Sequence, residues 1–276
     1  MTTSAPLEFY DLVPQPGGPF FSPATTRARL ALLHKGVPFK VTELTYKDLR
    51  TGPYRDLAGA GDDGVVTVPF IKRPDGTYLR DSLAIMRWLD EAYPEKPSVV
   101  APGDARSEEY AKVYDEFLAF RREISDEETW TAHWTLYCVP VCEMFDKTGE
   151  DNDFEYWTFA ARLGEGTYDS CVATYNEPAS KASLIGSVNV GMVDKLDAIL
   201  EKQKWLQGED GPGIKDFHAM GIVRMAAATS RANYDATFGR TTPGHTAQWV
   251  ERINERYARG ERPGVGMEEV VVRDAR

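Results

Sequence analysis

Apolar and polar positions change rhythm several times along this chain. Leu7–Leu12 (LEFYDL) is a short β-prone run, closed by the breaker-rich loop 13–21 (VPQPGGPFF). From Pro23 to Lys35 the spacing becomes helical, with Ala24, Ala28, Ala31 and Leu32 on one stripe and Gly36 as the stop. Val37, Phe39 and Val41 alternate with polar neighbours and predict a second strand. Residues 65–71 (VVTVPFI) predict a third, followed by a turn at Pro74-Asp75-Gly76 and a return strand over 77–79. A helix over 82–93 carries Leu83, Met86 and Leu89 on one face, widened by Ile85 and Trp88. The order is βαβ, an unassigned stretch, then ββα, which is a small α/β sandwich.

Residues 94–103 (PEKPSVVAPG) hold three prolines and read as a linker. Beyond it the rhythm is almost wholly helical. Helices are expected over 106–123, 188–205, 217–231 and 246–259, while 138–187 is aromatic and acidic and yields no assignment. The expected division is an α/β domain over 1–97, an all-helical domain over 104–262 and a tail over 263–276.

Composition narrows the field of functions. The chain of 276 residues is 42% hydrophobic and 27% charged, as in soluble globular proteins. A net charge of -11 argues against a nucleic-acid surface, because phosphate binding needs clustered Lys and Arg. The N-terminus lacks the basic and apolar regions of a signal peptide, and the apolar runs are too short for a membrane span. Cys138, Cys142 and Cys171 are too few and too irregular for a disulfide framework or zinc cage, which suits a reduced, cytoplasmic setting. None of the four His residues is paired at ligand spacing, so no metal is expected. Asp151-Asn152-Asp153-Phe154-Glu155 lacks the glycine and distant glutamate of a calcium loop and reads as a solvated acidic turn.

Three features of the first domain carry candidate chemistry. Ser22-Pro23 opens the first helix, and capping alone accounts for both residues. A hydroxyl among the free N–H groups of a helix N-terminus also suits a thiolate. The chain has no cysteine before position 138, so such a thiol would belong to a substrate. A free thiol, with a pKa of about 8.5, needs that stabilisation to ionise at neutral pH. Val68-Pro69 interrupts an apolar run. Either the run is an edge strand with a trans proline, or a cis bond at the strand start turns the Val68 backbone toward a peptide-like ligand. Asp81-Ser82 precedes the next helix, where capping is again sufficient; alternatively Ser82 meets a ligand carboxylate and Asp81 a ligand ammonium.

With these residues in place, the sequence resembles the glutathione transferase superfamily. The likeness is carried by LEFYDL, SPATTRARLALLHKGVPF, TVPFI and DGTYLRDSLAIMRWLDEAYP, and by the later helix-start segment KWLQGEDGPGIKDFHAM. FYDL and SPATTRARLALLHKG are most similar to the serine-type, etherase-related branch of bacterial lignin β-etherases and their fungal relatives. The resemblance implies a thioredoxin-like N-terminal domain, a C-terminal all-helical domain and a homodimer. It implies that glutathione is the cosubstrate and a hydrophobic aromatic electrophile the acceptor, with cleavage of β-aryl ethers as one outcome. A carrier of phenolic ligands with little turnover is the alternative. Ser22 would hydrogen-bond the glutathione sulfur, Val68 ahead of cis Pro69 would pair with the cysteinyl backbone, and Asp81 and Ser82 would hold the γ-glutamyl end. Lys40, Lys47 and Arg50 are equal candidates for the glycine carboxylate. Phe117, Phe120, Trp130, Trp134 and Tyr137 are the stock for an acceptor pocket. The late helix-start signature has Gly213 where the family has Ser or Thr as N-cap, with Asp216 keeping the other half.

Overall fold

A computed structural model describes residues 6–54, 66–100, 107–150, 152–160 and 166–257. Its first part is β1 (Leu7–Leu12), α1 (Pro23–Lys35), β2 (Phe39–Leu44), α2 (Tyr46–Thr51), β3 (Phe70–Lys72), β4 (Tyr78–Arg80) and α3 (Ser82–Ala92). The strands form one mixed sheet in the order β2-β1-β3-β4. β1 runs parallel to β2 and antiparallel to β3, and β4 closes the edge antiparallel to β3. This is a thioredoxin-like unit.

Local chemistry explains most boundaries. Ser22 caps α1, Pro23 fills its first turn, and Gly36 at φ 59° supplies the left-handed exit. The expected 65–71 strand is shorter: pairing begins only at Phe70, because Pro69 has no N–H to give a ladder, and residue 65 lies outside the described residues. The unassigned stretch contains α2, fixed by a capping box in which the Asp48 N–H donates to Thr45 Oγ1 (3.2 Å) and the Thr45 N–H to Asp48 Oδ2 (2.8 Å).

The named elements of the remainder that the structure describes are helices: α4 (Glu108–Ile124), α5 (Glu127–Cys142), α6 (Asp153–Glu155), α7 (Thr167–Asn176), α8 (Pro178–Val188), α9 (Asp194–Leu200), α10 (Ile214–Thr229), α11 (Arg231–Ala236) and α12 (His245–Tyr257). Two π-helical turns, Tyr156–Ala160 and Asn189–Val193, continue α6 and join α8 to α9. The expected 188–205 helix therefore ends at Leu200, and the expected 217–231 helix is two, broken at Ser230. The tail 263–276 and part of the linker lie outside the described residues. No described helix is long and apolar enough to cross a membrane.

α1 is the pivot between the two parts. It packs on α3 on one side and on α10 on the other, so nearly every residue from Thr25 to Leu32 is buried. The linker is pinned by Asp90 of α3, which is buried and pairs with Lys35 Nζ (2.7 Å). The same carboxylate accepts from the Val99 N–H (2.8 Å), the Val100 N–H (3.0 Å) and the Tyr110 hydroxyl of α4 (3.2 Å). One acid thus ties α1, α3, the linker and α4 together. At α10, the Asp216 carboxylate accepts from the N–H groups of Leu206 (2.9 Å), Gln207 (3.0 Å) and Gly213 (3.1 Å) and from Trp249 Nε1 (2.8 Å). The half-signature with glycine at the N-cap is enough to start that helix.

Candidate functional site

Strand register brings the three sequence candidates to one end of the sheet. Tyr10, Phe70 and Arg80 stand side by side across β1, β3 and β4. Val68 and Pro69 therefore lie just before β3, Asp81 and Ser82 just after β4, and both flank the end of β1 from which the chain leads to Ser22. The Val68–Pro69 bond is cis. Val68 N–H and C=O have no backbone partner among the described residues.

Ser22 is held in extended conformation, φ -68° and ψ 125°, with 8% of its surface accessible. Its Oγ accepts from the Thr25 N–H at 3.4 Å, a long bond that leaves the hydroxyl hydrogen free to point elsewhere. Three contacts fix the turn. Phe21 packs edge-on against Phe145 (5.9 Å between ring centroids). Arg224 Nε of α10 donates to Phe20 O at 3.2 Å. Gly221 of α10 lies under Pro23, and a Cβ there would come within 2.4 Å of the Pro23 carbonyl oxygen. Only glycine lets α10 approach this closely. Beneath, Arg29 of α1 is paired with Asp11 at the end of β1 (2.7 Å), both almost fully buried.

Asp81 caps α3, its Oδ1 accepting from the Leu83 and Ala84 N–H groups, each at 2.9 Å. Its φ of 72° with ψ of 126° is rare for a residue with a side chain, and such strain concentrates at ligand sites. Ser82 is buried beside it.

Ser22 opens onto a cavity of about 540 Å³, within the usual range for small-molecule sites. Its floor is Ser22, Pro23 and Ala24; Leu118, Ile222 and Met225 supply apolar wall, and Trp130 and Trp134 close one side. Of the five aromatics considered for an acceptor pocket, only these two tryptophans line it; Phe117, Phe120 and Tyr137 are core. The segment that resisted assignment supplies the support: Trp134 faces Trp157 (5.9 Å), and Trp157 meets Phe145 and Tyr46 of α2.

Apart from Ser125, the remaining lining is Arg27 from α1, Arg121 and Arg122 from α4, and His218 from α10. Burial, and secondarily the charge of Arg121, lowers the Arg27 guanidinium to about 10, with Asp81 opposing. Burial holds His218 well below the ordinary imidazole value, helped by the charges of Arg27 and Arg121, so its ring is neutral at pH 7. Local pattern gave no sign of this group, because its members come from three helices spread over almost two hundred positions.

Of the three candidates for a glycine carboxylate, Arg50 is engaged: it pairs with Asp153 at 2.8 Å and lies over the Tyr156 ring at 4.0 Å. Lys40 and Lys47 are exposed. Asn152 caps α6 and Asp153 is buried, so within the expected solvated acidic turn residues 152–155 serve instead as a helix start and a docking point for α2.

Comparison with known proteins gives the fold its class. Residues 21–92 match the family model described as glutathione S-transferase, N-terminal domain. A glutathione S-transferase of Ceriporiopsis subvermispora, crystallised in complex with glutathione, superposes with a TM-score of 0.71 at 16% identity, covering 91% of this chain and 99% of the other. A second enzyme of that fungus, also with glutathione, gives 0.69 at 20% identity, with coverage of 91% and 98%. Glutathione transferase GSTFuA3 of Phanerochaete chrysosporium gives 0.67 at 18% identity, with coverage of 91% and 97%. No curated protein matches in sequence. The chain thus has the glutathione transferase fold over 91% of its length, and the family-model match lies in its first part, at residues 21–92.

Proposed function

We propose that this protein is a glutathione transferase of the serine type, activating the glutathione thiolate for attack on hydrophobic aromatic electrophiles. The observation that carries the reading is Ser22: a buttressed N-cap hydroxyl with a long intrahelical bond, open to a 540 Å³ cavity and following the end of β1 that the cis Val68–Pro69 bond and the strained Asp81 flank.

In this reading the Ser22 hydroxyl accepts from the Thr25 N–H and donates to the glutathione sulfur. The α1 N-terminus adds its positive field, so the thiol ionises below its free value. The Val68 backbone pairs with the cysteinyl residue as an added strand. Asp81 takes the γ-glutamyl ammonium and Ser82 the adjacent carboxylate; Lys40 and Lys47 remain open to the glycine carboxylate. The thiolate then forms a C–S bond to the acceptor while the leaving group departs with its electron pair. In the finer reading that group is a phenolate displaced from the β-carbon of an aryl ether, supported by the sequence likeness of the first domain to the etherase-related branch. The same reading includes a homodimer, a cytoplasmic setting and a domain division at the linker.

Conjugation of 1-chloro-2,4-dinitrobenzene tests it. Replacing Ser22 by Ala removes one donor to the developing thiolate and should lower kcat/KM about a hundredfold. An unchanged rate ends the assignment of Ser22. Tight binding of phenols without glutathione consumption would establish the carrier instead.

A further inference from the structure

Part of the cavity wall carries chemistry that a hydrophobic acceptor would not use. Arg27 keeps only 8% of its surface accessible and His218 only 5%, yet Arg27 Nε and both ring nitrogens of His218 have no hydrogen-bond partner. Buried polar groups without partners are costly and call for an explanation. Arg121 and Arg122 join them along the lining, and no carboxylate lines the cavity among the described residues. Arg27 is lowered by burial and then by the charge of Arg121, and guanidinium groups gathered on one cavity wall constitute a preformed anion site, with fork-like donors suited to a carboxylate. Trp130 and Trp134 face the same space with flat apolar rings.

We propose that Arg27 and Arg121, with His218, form a carboxylate subsite, so that the acceptor taken by this protein is an aromatic acid held between guanidinium and tryptophan. This rests on the transferase reading for what happens next, but not for binding itself. The carboxylate could also belong to glutathione. Asp81, which acts on Arg27 from the α3 side, makes that source concrete, and the test separates the two.

The experiment compares 4-chloro-3,5-dinitrobenzoate with its methyl ester, each normalised to its uncatalysed rate. In both, the glutathione thiolate forms the C–S bond and chloride leaves. Wild type should favour the acid, and Arg27→Gln or Arg121→Gln should reduce the acid-to-ester ratio about tenfold. Lys112→Gln, an equal loss of charge on the same helix outside the cavity, should leave the ratio unchanged. Calorimetry with 3,5-dinitrobenzoate and no glutathione reads the subsite without turnover: binding that both arginine variants weaken, in a protein that conjugates neither substrate, supports the subsite and overturns the transferase. Equal handling of acid and ester by wild type overturns the subsite. So does a larger loss of glutathione affinity than of dinitrobenzoate affinity in the arginine variants, since the anion would then be glutathione's own.

Discussion

Asp81 combines two demands that pull apart. Its carboxylate is an effective cap for α3, while its backbone at φ 72° disfavours any residue with a Cβ. Glycine would relieve the backbone and lose the cap; alanine would lose the cap and keep the strain. Asparagine keeps most of both and removes only the charge. Asp81→Asn should therefore unfold within about 0.5 kcal/mol of wild type in urea, whereas Asp81→Ala should lose about 1–2 kcal/mol. If the carboxylate meets the γ-glutamyl ammonium, both variants should bind glutathione more weakly by calorimetry, at least fivefold. Full affinity in Asp81→Asn would remove that role from the residue. Ser22-Pro23 and Asp81-Ser82 were legible in sequence because a cap is a local device, written in two or three adjacent residues. Arg27 was not: its guanidinium is ordinary until α4 and α10 enclose it.

Among elements, the junction at Asp90 is the most heavily committed. It neutralises a buried lysine and orders the linker before α4 begins. Asp90→Ala would strand the Lys35 ammonium with Tyr93 O as its remaining bond (3.0 Å) and free two linker N–H groups. A loss of about 3–5 kcal/mol is expected, measurable as a lowered urea midpoint. A change under 1 kcal/mol would show that water reaches the site and repairs it. Element boundaries were read well where caps and glycines mark them, as at Gly36, and poorly where regular spacing fails. In 138–187, α5 carries Pro140 near its end, apolar positions run all round its surface, and a π-helical turn follows α6. None of these obeys a single period. Thr45 and Asp48 were visible in the sequence, and their three-residue spacing was the signal that locates α2.

For the whole molecule, buried histidines set the response to acid. Burial lowers His34 to about 4 and His133 to about 3, and holds His218 well below its ordinary value. Each is neutral in the folded state, whereas the unfolded chain protonates near pH 6.5. Their contribution to stability is complete above that pH and is lost as the pH falls toward the folded values. Burial raises Asp216 to about 6 and also raises Asp153, so the folded state binds those protons more tightly and recovers part of the loss below pH 6. Three protons against one or two leaves a net deficit on the order of 4 kcal/mol between pH 7 and pH 5. Urea midpoints at the two values give the check, and a difference under 1 kcal/mol would mean that the imidazoles are hydrated.

The close contact of Gly221 with Pro23 carries a consequence for how the protein is made. A ribosome releases Ser22 some two hundred residues before Gly221 of α10, the helix that buttresses its turn and packs on α1. Throughout that interval the flank of α1 that α10 covers is without its partner. The Ser22 turn is synthesised well before the helix that completes its shape. Birth order and completion order run in opposite directions.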